Sequence, residues 1–221
     1  MRRYIYFVFL LCCAVNLLLT SCVRQKYVVM DMVHHNPGEA MTESKFLDPS
    51  FLKKNEYGAK VFFLFEAAQF GIDWKSFDPS LFPATTEAGR WVAEKAEIIH
   101  KKYDAAKKDD LQVYCMLDML VLPSLLVEKH RTELTNEQGK LDISKPYTQL
   151  CIRELMKEMF ETFPQLDGLV IRTGETYLHD APYYVGNHPV QNGMYDHITL
   201  INLLREEVCE RRNKKLFYRT W

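Results

Sequence analysis

The sequence predicts an α/β protein built on a parallel sheet, and three observations support this. Short apolar runs alternate along the 221 residues with longer segments in which apolar side chains recur at helical spacing, the pattern of β-α-β units. Some runs, such as AKVFFLFE, are apolar almost throughout, as in strands covered on both faces. Polar loops follow the runs, and loops at the carboxyl ends of parallel strands commonly build a pocket.

Five segments are predicted to be strands because they are apolar and bounded by turn or polar residues: 27–33, 59–66, 111–121, 168–173 and 215–221. Helices are predicted at 46–55, from Thr85 or Thr86 to about Lys108, from Pro146 to before Pro164, and at about 195–212. Either threonine is a suitable N-cap, and proline suits a first helical turn. The polar segment 132–145 is expected to be a surface excursion.

An open doubly wound sheet and a barrel both fit this order of elements. The sequence has neither G-x-G-x-x-G after the first strand nor G-x-x-x-x-G-K-[ST], which argues against a nucleotide-binding sheet. The polar loops favour a (β/α)8 TIM barrel, which has eight strands and typically about 250 residues. We therefore expect residues 22–221 to be a partial barrel domain of about five parallel strands with intervening helices, truncated after strand five, from a longer protein.

Composition narrows the function classes. The net charge is −1, which gives no basis for expecting a nucleic-acid partner. After the N-terminal region, Cys115, Cys151 and Cys209 are widely spaced and form neither a disulfide framework nor a zinc-ligand pattern, so we expect them to be buried as small apolar residues. Adjacent His34 and His35 would point to opposite sides of a strand and make a poor chelate. We expect no metal site and no cofactor.

The N-terminus has the features of an export signal. Arg2 and Arg3 precede an apolar run, 4–19, that is shorter than a comfortable membrane span. The run ends in Leu-Thr-Ser-Cys, which resembles the lipobox of bacterial lipoproteins. The resemblance implies a signal peptide at 1–21 and lipidation of Cys22, which would anchor the protein in the bacterial cell envelope, on the outer membrane facing the periplasm or the surface. An uncleaved signal anchor or an ordinary secretory peptide is the alternative.

The segment LVIRTGETYLHDAPYY (169–184) begins as an apolar strand and ends in a loop of carboxylates, tyrosines and a histidine. At the carboxyl end of a barrel strand, such a loop delivers catalytic groups to the pocket. Glu175 is therefore a candidate active-site carboxylate. Tyr177, Tyr183 and Tyr184 would wall it, and desolvation there would raise the pKa of its carboxyl group.

GLVIRTGETYLHDAPYYVGN resembles the fourth-strand segment of TIM-barrel glycoside hydrolases of the α-glucuronidase type. The stretches MVHHNPGE and VFFLFEAAQFGIDW are similar to the first and second strand ends of such a barrel. In that group a Glu after strand four protonates the leaving-group oxygen, so the resemblance implies that Glu175 is the general acid. Gly174 stands before it, where the commonest clan has Asn. The second carboxylate of these enzymes usually comes from a later strand, so we expect this chain alone to be inactive.

Further residues are candidates for binding substrate: His34, His35, Glu66, Asp118, Arg172, Tyr177, Asp180, Tyr183 and Arg219. The arginines suit a substrate carboxylate, such as that of a uronic acid, because a guanidinium binds a carboxylate bidentately. Structural alternatives stay open. The arginines and Glu175 can form ion pairs that close a barrel layer, the other strand-end carboxylates can hold neighbouring loops, and the tyrosines can pack beneath the loop.

The resemblance implies a glycoside hydrolase-like protein that acts on glycans derived from plant or host polysaccharides, with uronic-acid-containing ones as candidates. Its partners would be the carbohydrate substrate and the membrane that holds the lipid anchor. The alternative is a non-catalytic glycan-binding surface lipoprotein on the same barrel. A barrel enzyme acting on another polyol or sugar acid is a third hypothesis, and the fold alone does not separate the three.

Overall fold

The computed structural model describes residues 28–31, 44–63, 66–173, 176, 178, 180–187 and 193–219. The strands are β1 (Met30–Asp31), β2 (Ala59–Phe62), β3 (Gln112–Asp118), β4 (Val121–Pro123), β5 (Leu166–Arg172), β6 (Tyr184–Gly186) and β7 (Lys215–Arg219). The α-helices are α1 (Pro49–Lys54), α2 (Glu87–Lys108), α3 (Ser124–Lys129), α4 (Arg131–Leu134), α5 (Pro146–Thr162) and α6 (Met194–Leu204). Two 3₁₀ turns, Lys45–Leu47 and Ala68–Gly71, and a π-helical turn, Arg205–Glu210, complete the described elements.

Five strands form one parallel sheet in the order β1-β2-β3-β5-β7. Each of these strands therefore lies beside the next main strand along the chain. A doubly wound sheet reverses its strand order at a switch point, whereas the strands of a (β/α)8 barrel follow the chain order. The strand order of the described sheet is thus that of a barrel.

The long helices cover one face of this sheet. Residues of α2, α5 and α6 share a core with alternate strand residues, among them Phe62, Cys115, Leu117, Leu169 and Ile171. The opposite face, which we call the inner face, carries a separate apolar cluster of strand residues: Ala59, Val61, Tyr114, Met116 and Val170. Sequential parallel strands with helices on one side define a partial (β/α) barrel, which confirms the predicted fold class.

Helix boundaries follow local chemistry. The Thr86 hydroxyl accepts a hydrogen bond from the Gly89 N–H at 3.0 Å, which caps α2 where the sequence predicts. α5 begins at its predicted proline. The predicted helix 46–55 is split, because Asp48 caps a new helix that starts at Pro49. The last predicted helix is α6 followed by the π-helical turn.

Two predicted strands are shorter than the apolar runs that predict them. β2 stops at Phe62, so Glu66 lies beyond the strand. β3 stops at Asp118, the chain turns through Leu120 with a φ of 55°, and β4 follows. β4 pairs with β6, a strand that the sequence does not predict, in a small antiparallel sheet. That sheet joins the loop after β3 to the loop after β5.

The segment 132–145 is not wholly a surface excursion. Leu134, Leu141 and Ile143 are buried and belong to the helix-side core. Thr135 forms an isolated antiparallel bridge with Leu141, which closes the segment into a short loop. The segment was predicted to be exposed because most of its residues are polar. The burial of its few apolar residues depends on tertiary contacts that the local sequence does not indicate.

Gly168 lets β5 and β7 approach each other closely. A Cβ atom added at this position would lie 2.1 Å from the carbonyl oxygen of Lys215 and 2.8 Å from its carbonyl carbon. Both are backbone atoms of the paired strand, so they cannot move aside without opening the ladder. The pairing of the two strands therefore requires glycine at this position.

We expect Gly168→Ala to lower the free energy of unfolding by about 3 kcal/mol, because the added methyl group would force the paired backbones apart. Urea unfolding followed by circular dichroism measures the change. Gly58→Ala is the matched control, since the nearest contact of its Cβ would be the Val28 side chain at 3.0 Å, and we expect a loss below about 1 kcal/mol. Equal losses in the two variants would contradict the explanation by close strand approach.

Candidate functional site

A buried ion pair lies at the carboxyl ends of β3 and β5. Asp118 and Arg172 are register partners, and the carboxylate accepts hydrogen bonds from Nε and Nη2 of the guanidinium at 2.5 and 2.6 Å. Each side chain is 9% exposed. Two parallel N–H···O bonds fix the relative orientation of the two groups. The pair is a rigid charged feature at the strand ends, where barrel proteins place their functional sites.

Strand alternation directs both side chains to the inner face. Met116 and Val170, two residues earlier on the same strands, belong to the inner apolar cluster, and residues two apart share a face. Leu117 and Ile171, between them and the ion pair, belong to the helix-side core. Burying an isolated charge beside apolar side chains is costly, so each group depends on its partner. The structure thus brings together two of the predicted substrate-binding residues.

A small cavity of about 10 Å³ opens beside the ion pair. Asp118, Arg172 and Gln69 supply its polar lining, and apolar side chains such as Phe70 and Met116 supply the rest. A volume of this size holds about one water-sized group. Gln69 is not among the residues predicted from the sequence, because no motif or periodicity marks a glutamine in a 3₁₀ turn.

Arg219 is the counterpart of Arg172 on the next strand. The two residues are register partners in β5 and β7, so both lie at the carboxyl edge of the inner face. Thr173 donates a hydrogen bond from its hydroxyl to the Arg219 carbonyl oxygen at 3.4 Å. Arg219 is exposed, whereas Arg172 is buried. Asp118 balances the charge of Arg172, so Arg219 is the residue of the two that brings additional positive charge to this edge of the sheet.

Glu66 does not face the cavity. Its carboxylate forms an ion pair with Lys102 of α2, and it lines an outer depression together with Lys60 and Phe62. The sequence left open whether this strand-end carboxylate faces the pocket or holds a neighbouring loop. Glu66 lies four positions after Phe62, which packs in the helix-side core, so strand alternation also directs Glu66 to the helix layer.

Tyr183 and Asp180 lie on the loop after β5. The Tyr183 ring lines a groove of about 360 Å³ and meets the Trp91 ring edge-on at 5.7 Å. Desolvation and the neighbouring Glu87 carboxylate raise the pKa of the Tyr183 hydroxyl. Asp180 is exposed in a turn. The next tyrosine, Tyr184, is buried, so the adjacent pair is divided between groove and core.

The described cysteines include two with no nucleophilic character. Cys115 and Cys151 are buried, and desolvation raises the pKa of each thiol to about 12. Both thiols are therefore neutral near pH 7. Within the described ranges, no group of three or more His, Cys, Asp or Glu side chains is placed to hold a metal ion. No helix in that same part of the chain is long and apolar enough to cross a membrane.

The remaining candidates lie outside the described residues: His34, His35, Glu175, Tyr177 and Cys22 with the signal peptide that precedes it. The roles assigned to them from the sequence stay predictions. The described chain reaches Thr173, two positions before Glu175.

Comparisons with known proteins give structural similarities alone. The sequence matches no protein-family model and no curated protein. Among solved structures, the chain is similar to a maltogenic alpha-amylase from Thermotoga neapolitana, with 14% identity, a TM-score of 0.47, and coverage of 87% of this chain and 45% of that one. It is also similar to the galactosidase domain of an alpha-galactosidase-sucrose kinase, with 13% identity, a TM-score of 0.48, and coverage of 90% and 27%.

A third similar structure is a GH138 enzyme targeting pectin rhamnogalacturonan II, with 14% identity, a TM-score of 0.38, and coverage of 67% of this chain and 18% of that one. The chain thus spans less than half the length of each of these proteins. All three are glycoside hydrolases by name. At these identities and TM-scores the similarity assigns neither an activity nor a site residue to this chain.

The buried ion pair leads to a prediction about stability. We expect Arg172→Met to lower the free energy of unfolding by about 3–5 kcal/mol, because it leaves the Asp118 carboxylate buried without its partner. The double variant Asp118→Leu/Arg172→Met replaces both charges with apolar groups, and we expect its stability to lie within about 1 kcal/mol of the wild type. Urea unfolding of the double variant and both single variants measures the coupling.

The control is Lys102→Met, which breaks the more exposed ion pair with Glu66. Lys102 is 45% exposed, so we expect a loss of at most about 1 kcal/mol. If the double variant loses as much stability as the sum of the two single variants, Asp118 and Arg172 do not depend on each other and the description of the pair is wrong.

Proposed function

We propose that this chain forms the carbohydrate-binding part of a glycoside hydrolase-type barrel. The observation that carries the proposal is the Asp118–Arg172 pair at the carboxyl edge of the inner face. A buried ion pair is often no more stabilising than apolar side chains of the same volume. Its presence at the end of a barrel, where substrate binds in proteins of this architecture, therefore favours a role in binding.

The arginines support a substrate that carries a carboxylate. Arg172 is held in one orientation by Asp118, and the exposed Arg219 stands beside it on β7. The guanidinium of Arg219 favours an anionic sugar such as a uronic acid over a neutral one. We propose that Arg219 contacts the substrate carboxylate and that Asp118 positions Arg172.

Glu175 is proposed as the general acid. It follows β5 in the sequence, in the loop after the strand that carries Arg172. Glycoside hydrolysis requires a protonated carboxyl group beside the leaving-group oxygen. Asp118 is poorly suited to this role because both its oxygens accept hydrogen bonds from Arg172. The loop carboxylate is the better candidate.

The leaving group of the substrate tests this role. In a protein that joins this chain to the strand carrying the second carboxylate, we expect Glu175→Gln to lower kcat for a nitrophenyl glucuronide by about 10²- to 10⁴-fold. The loss should be much smaller for the dinitrophenyl glucuronide, because that leaving group departs without protonation. Glu66→Gln is the matched control, since its carboxylate is paired with Lys102 on the helix side, and it should keep wild-type kcat. Equal losses for both substrates would rule out a general acid at this position.

A non-catalytic glycan-binding protein is the second candidate. This candidate is favoured because the Asp118 carboxylate is paired with Arg172 and is therefore not available as a nucleophile or general base. Binding of uronic acids without hydrolysis of either aryl glucuronide, by a protein that also contains the strand expected to carry the second carboxylate, would support this candidate over the hydrolase.

We also propose that the mature protein is held at the cell envelope by a lipid on Cys22. The support is the Leu-Thr-Ser-Cys sequence after an apolar run. Metabolic labelling in bacteria with a fatty acid should label the wild type, and Cys22→Ala should lose the label completely. Cys209→Ala is the control and should keep it. Label that persists in Cys22→Ala would refute the anchor.

A further inference from the structure

We propose that Gln69 binds one hydroxyl group of a carbohydrate ligand at the carboxyl end of the sheet. Its side-chain carboxamide oxygen would accept a hydrogen bond from that hydroxyl. The class of ligand rests on the proposed function. The residue itself is assigned by geometry alone, since no motif and no similarity to a known protein singles it out.

The first observation is that the side-chain oxygen of Gln69 has no hydrogen-bond donor among the described residues. Gln69 is 2% exposed. Its Oε1 atom is buried and has no hydrogen-bond partner in the part of the chain that the structure describes. Buried polar atoms of native proteins are nearly always paired, because an unpaired acceptor loses its hydration without compensation. A carbonyl oxygen in this state lacks a donor, and a ligand hydroxyl can supply one.

The second observation is the space beside this side chain. Gln69 lines the small cavity together with Asp118 and Arg172. Its volume of about 10 Å³ admits one water-sized group. A single hydroxyl oxygen fits, whereas a sugar ring does not. One hydroxyl would therefore enter the cavity while the rest of the carbohydrate stays outside it.

The third observation is the rigid support of Gln69. The preceding residue, Ala68, donates its N–H to the Cys115 sulfur at 3.1 Å. The Tyr184 hydroxyl donates to the Gln69 carbonyl oxygen at 3.3 Å. The Phe70 ring meets the Tyr184 ring edge-on at 5.0 Å. The backbone of Gln69 is thus fixed both from β3 and from the loop after β5, which is how a binding group is preorganised.

These observations predict opposite effects on stability and on binding. If the carboxamide exists to bind a ligand, an apolar side chain of similar length should be better tolerated in the unliganded protein and worse for binding. If the carboxamide is structural, its replacement should lower stability. Gln69→Met separates the two, because methionine fills a similar volume without polar atoms that need partners.

The experiment measures melting temperature and the affinity for three probes: the methyl glycosides of glucose, galactose and glucuronic acid, by isothermal titration calorimetry. We expect Gln69→Met to melt about 2–4 °C above the wild type. We also expect it to bind the best of the three probes about tenfold more weakly, the effect of one lost hydrogen bond.

Gln165→Met is the matched control. Gln165 also has a buried Oε1 without a partner among the described residues. Its Nε2 donates to Asp104 of α2 at 2.7 Å, on the helix side of the sheet and away from the cavity. This variant should bind the probes with wild-type affinity, whatever happens to its melting temperature.

Two results would overturn the inference about Gln69: wild-type affinity in Gln69→Met, or a lower melting temperature, which includes a variant that fails to fold. Failure of the proposed function is a different result. A wild-type protein that binds none of the three glycosides overturns both the proposed carbohydrate binding and the assignment of a carbohydrate hydroxyl to Gln69, whereas weaker binding confined to Gln69→Met supports both.

Discussion

Helical packing on one face of the sheet is the constraint on which the rest of the structure depends. Among the described elements, α2, α5 and α6 share a single core with one set of alternate strand residues, and no described helix belongs to the cluster formed by the other set. That set is apolar in the middle of the sheet, where Tyr114, Met116 and Val170 meet. Charged groups can be accommodated only at the edge of this cluster. Asp118 and Arg172 occupy that edge as the last residues of their strands.

The loops above this edge are held together by Tyr184. Its ring meets those of Phe70 at 5.0 Å and Phe82 at 5.7 Å, and its hydroxyl reaches the Gln69 carbonyl. Complete burial raises the pKa of this hydroxyl, so it stays a neutral donor. Through β6 the same residue pairs with Pro123 of β4. One tyrosine therefore connects the loops that follow β2, β3 and β5, and it fixes the distances between groups that those loops carry.

Periodicity and capping predicted the parts of this fold that depend on local sequence. The Thr86 cap of α2, the proline at the start of α5 and the five parallel strands follow from such patterns. The directions of Glu66 and Asp118 stayed open, because a carboxylate at a strand end can face a pocket or hold a neighbouring loop; Glu66 pairs on the helix side, whereas Asp118 pairs with Arg172 on the inner face. The pairing of β4 with β6 and the position of Gln69 depend on contacts between loops distant in sequence, and no local pattern encodes them.

Several features that break local rules lie beyond the carboxyl ends of β2, β3 and β5, although positive φ also occurs at Glu56, Asp110 and Asn213, before the amino ends of strands. Leu120, directly after the end of β3, and Trp74, in the loop after β2, are fully buried bulky residues with φ of 55° and 57°, a left-handed conformation that costs about 1 kcal/mol or more. The same edge contains the desolvated ion pair and the unpaired carboxamide of Gln69. Natural sequences accept such conflicts mainly where function requires them. A barrel fold hosts many functions, so it is the desolvated ion pair beside the unpaired carboxamide, more than the fold, that favours a functional role for the ends of β3 and β5.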